Sequence, residues 1–123
     1  MKNILLLGAT GSIGDSVLNV IRQNDSTLNL FGIAVGKNIK KTDGIIKEFL
    51  PKYVFVDDVA AYDDISSSNP DKNILNSDQE LLNLISDDKV DIVISAIVGF
   101  AGLKASLMAV NAGKTVLIAN KES

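Results

Sequence analysis

The sequence contains no cysteine and no histidine, so several common kinds of functional site are excluded at once. Disulfide bonds, thiol chemistry, imidazole acid–base catalysis and the usual zinc sites all need one of these residues. Any metal bound by this chain would need Asp or Glu ligands. No apolar run approaches the roughly 18 residues of a membrane-spanning helix, and residues 1–7 lead directly into a strand pattern. We therefore expect no signal peptide, no membrane association and a cytoplasmic location.

An excess of positive charge is also missing, because 15 Asp and Glu residues outnumber 12 Lys and Arg residues and the net charge is −3. Binding to nucleic acid is therefore not expected. Hydrophobic residues make up 46% of the 123 residues and charged residues 22%, which is typical of a folded globular protein. The length corresponds to a single domain.

The most informative stretch is the glycine-rich segment at residues 8–14, Gly-Ala-Thr-Gly-Ser-Ile-Gly. It lies between an apolar run and a helical pattern, the context in which spaced glycines predict phosphate binding. We expect Gly8 to allow a tight turn, Gly11 to let backbone approach a pyrophosphate, and Gly14 to let the helix pack closely on the strand. The amides at the helix N-terminus would then face the anion. A strand-to-helix turn without a ligand is the alternative.

Alternating apolar and helical patterns predict a chain of strands and helices. Strands are predicted over residues 3–8, 28–35, 53–56, 74–75, 91–96 and 115–119. Helices are predicted over residues 12–24, 40–50, 59–65 and 101–112, with a further helix beginning at the capping box Ser77-x-x-Glu80. We expect a polar loop over residues 66–73 and a helix-ending glycine at Gly113. This order predicts an α/β fold, a Rossmann-like doubly wound parallel sheet in a single domain, with its nucleotide site beside the first strand.

The segment Gly36-Lys37-Asn38 follows the second predicted strand, where dinucleotide-binding domains hold the adenosine ribose. NAD-specific domains usually have Asp or Glu here, which accepts hydrogen bonds from the ribose hydroxyls. An ammonium and an amide instead attract the 2′-phosphate of NADP, which a carboxylate would repel. The segment therefore favours NADP. The alternative is that Lys37 is an ordinary solvated loop lysine.

Glycines also follow the predicted strand at residues 91–96. Gly99 and Gly102 allow a ligand to approach the backbone, or they simply form a tight strand-to-helix turn. We expect Phe100 to pack in the core rather than to line a nicotinamide pocket.

Four polar residues follow the last predicted strand, at 120–123. Lys121 is suited to hold an anionic or hydroxylated substrate as a point charge, and Asn120 and Glu122 to hydrogen-bond a nicotinamide ribose. A solvated turn is the alternative for these residues.

Together, four segments resemble the 1-deoxy-D-xylulose 5-phosphate reductoisomerase family: residues 8–14, 36–38, 96–102 (Ala-Ile-Val-Gly-Phe-Ala-Gly) and 112–123 (Ala-Gly-Lys-Thr-Val-Leu-Ile-Ala-Asn-Lys-Glu-Ser). The resemblance covers residues 1–123 but only the N-terminal NADPH-binding domain of that enzyme, and the last segment is the specific one. It implies conversion of 1-deoxy-D-xylulose 5-phosphate to 2-C-methyl-D-erythritol 4-phosphate in isoprenoid precursor synthesis. It also implies NADPH, a divalent metal (Mg or Mn), a sugar-phosphate substrate and a homodimer in the full-length enzyme.

The resemblance assigns ligand contacts to positions of this chain. Those at the NADPH pyrophosphate are Thr10, Gly11, Ser12 and Ile13. Those at the adenosine ribose and its 2′-phosphate are Gly36, Lys37 and Asn38. Asn120 and Glu122 are assigned to the nicotinamide side and Lys121 to the substrate. Catalytic metal ligands and a C-terminal helical domain are expected beyond Ser123, so the resemblance implies no catalytic residue and no metal ligand within this chain.

Two alternatives stay open from the sequence. One is the nucleotide domain of another dehydrogenase, of the homoserine-dehydrogenase or dihydrodipicolinate-reductase type, which the Asn-Lys-Glu-Ser segment argues against. The other is a non-catalytic NADP-binding sensor, which fits the lack of histidine and cysteine. We expect a complete sensor to have a closing element after the last strand.

Overall fold

The computed structural model describes residues 1–97 and 100–118, with backbone alone for residues 100–103. Strands and helices alternate along this part of the chain. The strands are β1 (Lys2–Leu7), β2 (Leu28–Val35), β3 (Tyr53–Val56), β4 (Asn73–Leu75), β5 (Ile92–Ser95) and β6 (Thr115–Ile118). The helices are α1 (Ser12–Gln23), α2 (Ile39–Phe49), α3 (Val59–Ser68), α4 (Asp78–Ser86) and α5 (Phe100–Asn111).

The strands form one sheet in the order β4-β3-β2-β1-β5-β6. Every pair is parallel; Ile4 of β1, for example, lies opposite Leu30 of β2 and Ile92 of β5. The strand order reverses at β1, which is the switch point where ligands bind in open α/β sheets. The predicted α/β, Rossmann-like doubly wound sheet is confirmed.

Helices cover both faces of the sheet. On one face, α1, α2 and α3 pack their buried residues against Ile4 and Leu6 of β1. On the other face, α4 and α5 pack against Leu5 and Leu7. Because both faces are covered, β1 is buried on both sides, which explains its uninterrupted apolar sequence.

Most predicted elements are confirmed to within one or two residues, and β2 and β3 have the predicted bounds. The capping box is present, with the Ser77 side chain bonded to the Glu80 amide and the Glu80 carboxylate bonded back. Gly113 ends α5 with φ +76°. In this position a left-handed backbone costs glycine nothing.

One prediction is wrong: α3 extends to Ser68, so the polar loop begins three residues later than expected. Ser67 donates its hydroxyl to the Asp63 carbonyl oxygen at 2.8 Å, and the Asn69 side-chain amide donates to the Ile65 carbonyl oxygen at 2.9 Å. These polar side chains donate hydrogen bonds to carbonyl oxygens of the last helical turn, while Ile65 is fully buried against the sheet. The residues that indicated a loop therefore close the helix instead.

Lys114, in the Ala-Gly-Lys part of the last motif, has a structural role. Its Nζ donates to the carbonyl oxygens of Asp87 at 2.6 Å and Val90 at 3.0 Å. The ammonium thus ties the start of β6 to the turn between α4 and β5.

No helix in the described part of the chain combines the length and apolar character needed to cross a membrane.

Candidate nucleotide-binding site

The glycine-rich turn leaves β1 at the carboxyl edge of the sheet and leads into α1. Gly8 has φ +86°, a left-handed conformation that glycine adopts without strain. The amides of Gly8 and Ala9 both donate to the carbonyl oxygen of Ala34, at 2.8 and 3.2 Å. The turn is therefore fixed against the end of β2, immediately before the segment at residues 36–38.

The glycines of the site fall into two groups. A Cβ atom on Gly8 would lie 2.9 Å from the Ile97 side chain, and one on Gly14 would lie 2.5 Å from the Ala9 carbonyl oxygen. In contrast, a Cβ atom on Gly11 would meet nothing closer than 3.9 Å, and one on Gly36 would meet nothing within 4 Å. The fold itself therefore requires glycine at 8 and 14, whereas the open space at 11 and 36 suits a ligand that approaches the backbone.

Helix α1 begins without a side-chain cap, since its N-cap residue is Gly11. Its first backbone hydrogen bond is donated by Asp15 to the Gly11 carbonyl oxygen, at 3.0 Å. Helices α2, α3 and α4 begin differently, each with a side-chain oxygen that accepts a bond from a first-turn amide. No side-chain cap therefore accepts from the amides that begin α1, and the half-buried Thr10 and Ile13 and the exposed Ser12 lie at this helix end. Such uncapped amides are the donors that the predicted pyrophosphate contact needs.

The segment Gly36-Lys37-Asn38 is exposed at the carboxyl end of β2. Asn38 is also the N-cap of α2: its Oδ1 accepts a bond from the Lys41 amide at 3.1 Å. The Lys41 ammonium bonds Asp15 of α1 at 2.7 Å, so the two helix N-terminal regions are held together. The side-chain oxygen of Asn38 therefore has a structural partner, which the sequence interpretation missed; the signal was a polar residue just before a helical pattern.

A cavity of about 450 Å³ opens between these two segments, on the α4 and α5 side of the sheet. Its lining residues come from the carboxyl ends of β1, β2 and β3, from Ile97 after β5, and from α4 and α5. They are Leu7, Gly8, Ala34, Val35, Gly36, Phe55, Asp57, Asp78, Leu81, Ile97, Lys104, Ala105 and Met108. Sequence analysis did not identify this cavity, although Asp57 follows β3 as Gly36 follows β2, and so had a comparable signal.

The structure thus brings together the residues predicted at the pyrophosphate and at the ribose. Gly99 and the predicted Asn120, Lys121 and Glu122 lie outside the described residues, and only the backbone is described for Phe100 and Gly102. Within the described residues, no three acidic side chains are grouped closely enough to hold a metal ion.

A parallel sheet with this strand order, and a glycine-rich turn leading into a helix at its switch point, defines a Rossmann-like dinucleotide-binding fold. The family model of 1-deoxy-D-xylulose 5-phosphate reductoisomerase matches residues 4–123. The chain belongs to this family.

Curated relatives agree with this assignment. The chain is 41% identical over 127 residues to 1-deoxy-D-xylulose 5-phosphate reductoisomerase of Psychromonas ingrahamii, covering 100% of this chain and 32% of that protein. It is 43% identical over 120 residues to that of Francisella tularensis subsp. novicida, covering 98% of this chain and 31% of that protein. The chain therefore spans about a third of the length of the curated relatives it matches.

Solved structures are also similar. A crystal structure of DOX-P reductoisomerase in complex with NADPH, fosmidomycin and magnesium aligns with a TM-score of 0.90 and 38% identity, covering 100% of this chain and 31% of that one. The enzyme from Zymomonas mobilis in complex with NADPH aligns with a TM-score of 0.85 and 30% identity, covering 97% of this chain and 32% of that one. These findings give no support to the homoserine-dehydrogenase-like and sensor alternatives.

Proposed function

We propose that residues 1–123 form the NADPH-binding domain of a 1-deoxy-D-xylulose 5-phosphate reductoisomerase. The observation that carries the proposal is the glycine-rich turn at the switch point, which leads into a helix without a side-chain cap. Its relatives have this enzyme's name, and similar solved structures contain NADPH.

The pyrophosphate of NADPH would lie at the N-terminus of α1, at Thr10, Gly11, Ser12 and Ile13. Backbone amides and the positive end of the helix dipole stabilise a negative charge there. The open space beside Gly11 would let the phosphate oxygens approach the main chain.

The adenosine ribose and its 2′-phosphate would lie at Gly36, Lys37 and Asn38. The exposed Lys37 supplies a positive charge, and the Nδ2 group of Asn38 supplies hydrogen-bond donors while Oδ1 caps α2. The segment contains no carboxylate that would repel the phosphate, which supports NADPH over NADH.

Asn120 and Glu122 would contact the nicotinamide side, and Lys121 the sugar phosphate. In the whole enzyme a divalent metal, magnesium or manganese, would polarise the ketone oxygen of the substrate for the rearrangement of its carbon skeleton, and NADPH would supply the hydride that reduces the rearranged product. We place the metal ligands and the helical domain of the relatives outside this chain, and we propose a cytoplasmic homodimer for the whole enzyme.

The first test is a fluorescence titration of the 123-residue chain with NADPH. We expect binding, and no oxidation of NADPH above a no-protein control when 1-deoxy-D-xylulose 5-phosphate and magnesium or manganese are added. Failure to bind NADPH would contradict the proposal. Steady turnover would contradict the assignment of the catalytic metal ligands to residues outside this chain.

A further inference from the structure

An ion pair between α1 and α2 connects the two parts of the proposed site. Asp15 Oδ2 and Lys41 Nζ lie 2.7 Å apart. The backbone amide of Asp15 donates to the Gly11 carbonyl oxygen at 3.0 Å. The backbone amide of Lys41 donates to Oδ1 of Asn38 at 3.1 Å. Each partner is therefore attached through its main chain to one of the two predicted phosphate-binding segments, and their side chains meet between them.

The Lys41 side chain lies close to the ribose segment and is open to a ligand. Lys41 belongs to the first turn of α2, and it lines the same open groove between α1 and α2 as Asn38. In the ion pair, 33% of the Lys41 side chain and 55% of the Asp15 side chain stay exposed. An ammonium has three hydrogen-bond donors, so one bond to Asp15 leaves two donors for another acceptor.

The two members of the pair have opposite effects on a phosphate at residues 36–38. The ammonium attracts the phosphate, whereas the carboxylate holds the ammonium at α1 and offsets its charge. We infer that Lys41 is a second cation for the 2′-phosphate of NADPH, beside Lys37, and that Asp15 weakens this contact by holding Lys41. The pair thus sets how strongly the domain prefers NADPH to NADH. This inference rests on the proposed function and adds a residue that determines cofactor specificity, with Asp15 acting through it.

A second ion pair between the same two helices provides a matched control. Arg22 of α1 donates from Nη2 to Glu48 Oε1 of α2 at 2.8 Å. Each member lies seven positions further along its helix than Asp15 or Lys41, which is about 10 Å at 1.5 Å per residue. This distance is about one Debye length at 0.1 M salt. A phosphate at the N-termini of α1 and α2 should therefore interact little with the second pair.

The test measures the preference for NADPH, defined as the Kd of NADH divided by the Kd of NADPH. Both nucleotides are titrated by the fluorescence of the reduced nicotinamide, and a thermal melt checks that each variant is folded. Lys41→Ala should lower the preference about fivefold and Asp15→Asn should raise it about threefold, as expected for exposed charges. Lys47→Ala and Glu48→Gln make the same charge changes in the last turns of α2 and should leave the preference unchanged.

The double variant Asp15→Asn/Lys41→Ala tests whether Asp15 acts through Lys41, and we expect it to have the preference of Lys41→Ala alone. A threefold gain over Lys41→Ala would instead show that Asp15 repels the phosphate directly, and would overturn its proposed role. An unchanged preference in Lys41→Ala, or an equal change in the two controls, would overturn the role of Lys41 and leave NADPH binding intact. If the parent chain binds neither nucleotide, the proposed function itself fails.

Discussion

The carbonyl oxygen of Ala9 lies 2.5 Å from the position that a Cβ atom on Gly14 would occupy. Main chain of the glycine-rich turn therefore touches α1 directly, at a distance that no side chain can share. Gly14 is buried, and the Gly8 carbonyl oxygen is almost as close, at 2.6 Å. Any larger residue must push the helix away from the turn that positions the phosphate amides.

Gly14→Ala should accordingly lower the free energy of unfolding by about 3 kcal/mol, the upper part of the usual range for overpacking. Gly44→Ala is the matched control, because it lies in α2 with no atom within 4 Å of the new Cβ. That substitution should instead stabilise the protein by about 0.5–1 kcal/mol through helix propensity. Urea unfolding of both variants checks the prediction, and equal effects would contradict it.

Gly11→Val should abolish NADPH binding and leave the fold nearly intact. Gly11 has φ −83°, which valine adopts without strain, and its Cβ would have open space in the free protein. The branched side chain would occupy the volume that the pyrophosphate needs. Titration with NADPH and a thermal melt separate the two effects. A variant that binds NADPH as tightly as the parent would place the phosphate elsewhere.

Lys37→Ala should weaken NADPH about tenfold and leave NADH nearly unchanged, because only NADPH has the 2′-phosphate. Lys37→Asp should weaken NADPH further, since a carboxylate repels the phosphate and favours free ribose hydroxyls. The losses should shrink at higher ionic strength because the site is exposed. The measurement is a titration of both cofactors at two salt concentrations. Equal losses for both cofactors would mean that Lys37 acts on folding or on the shared pyrophosphate.

Glu80→Gln should make the protein less stable at neutral pH, with a difference that disappears in acid. Backbone hydrogen bonds from Ser77 and Asn76 lower the pKa of Glu80 from its ordinary value of 4.5. Its ionised form therefore adds stability above about pH 4.5, and this stability is lost as pH falls through the lower pKa of the folded state. Glutamine keeps a capping-box acceptor but has no charge. Urea unfolding at pH 7 and pH 3 should give a difference only at pH 7.

Lys121→Ala should raise the KM for the sugar phosphate more than the Kd for NADPH. The test needs a whole enzyme, which can be made by replacing the matching 32% of the Psychromonas ingrahamii relative with this chain. Losing a positive charge that holds a phosphorylated substrate should cost about tenfold or more. Normal kinetics in the variant chimera would remove Lys121 from the substrate site.

The sequence predicts this fold well where a pattern is local. Strands β2 and β3 are apolar runs bounded by turn residues, and the Ser77 capping box lies within four consecutive positions. The predicted end of α3 is wrong because serine and asparagine favour loops, whereas here Ser67 and Asn69 bond carbonyl oxygens of the last helical turn. Asn69 also donates to the Asp43 carboxylate of α2, at 3.1 Å. Local propensity cannot include such a tertiary contact.

In the candidate site, too, features within one short segment were predictable, whereas features formed by distant segments were not. The glycine-rich turn was predictable because its spacing is fixed by one short segment. The cavity was not, because Phe55, Leu81 and Met108 are far apart in the chain and meet only once the sheet has formed. The cap formed by Asn38 depends on where α2 begins, and the predicted helix began one residue later than the observed one.

The central position of β1 has a consequence for how the protein is made on the ribosome. The backbone amide of Asn3, near its start, donates to the side-chain carboxylate of Asp91, which follows 88 residues later in the sequence. At roughly 5–20 residues per second, the partner strand β5 is synthesised about 4–18 seconds after β1. During that interval one edge of the apolar segment Leu5–Leu7 has no native partner, so an unpaired strand edge stays open to non-native pairing until β5 emerges.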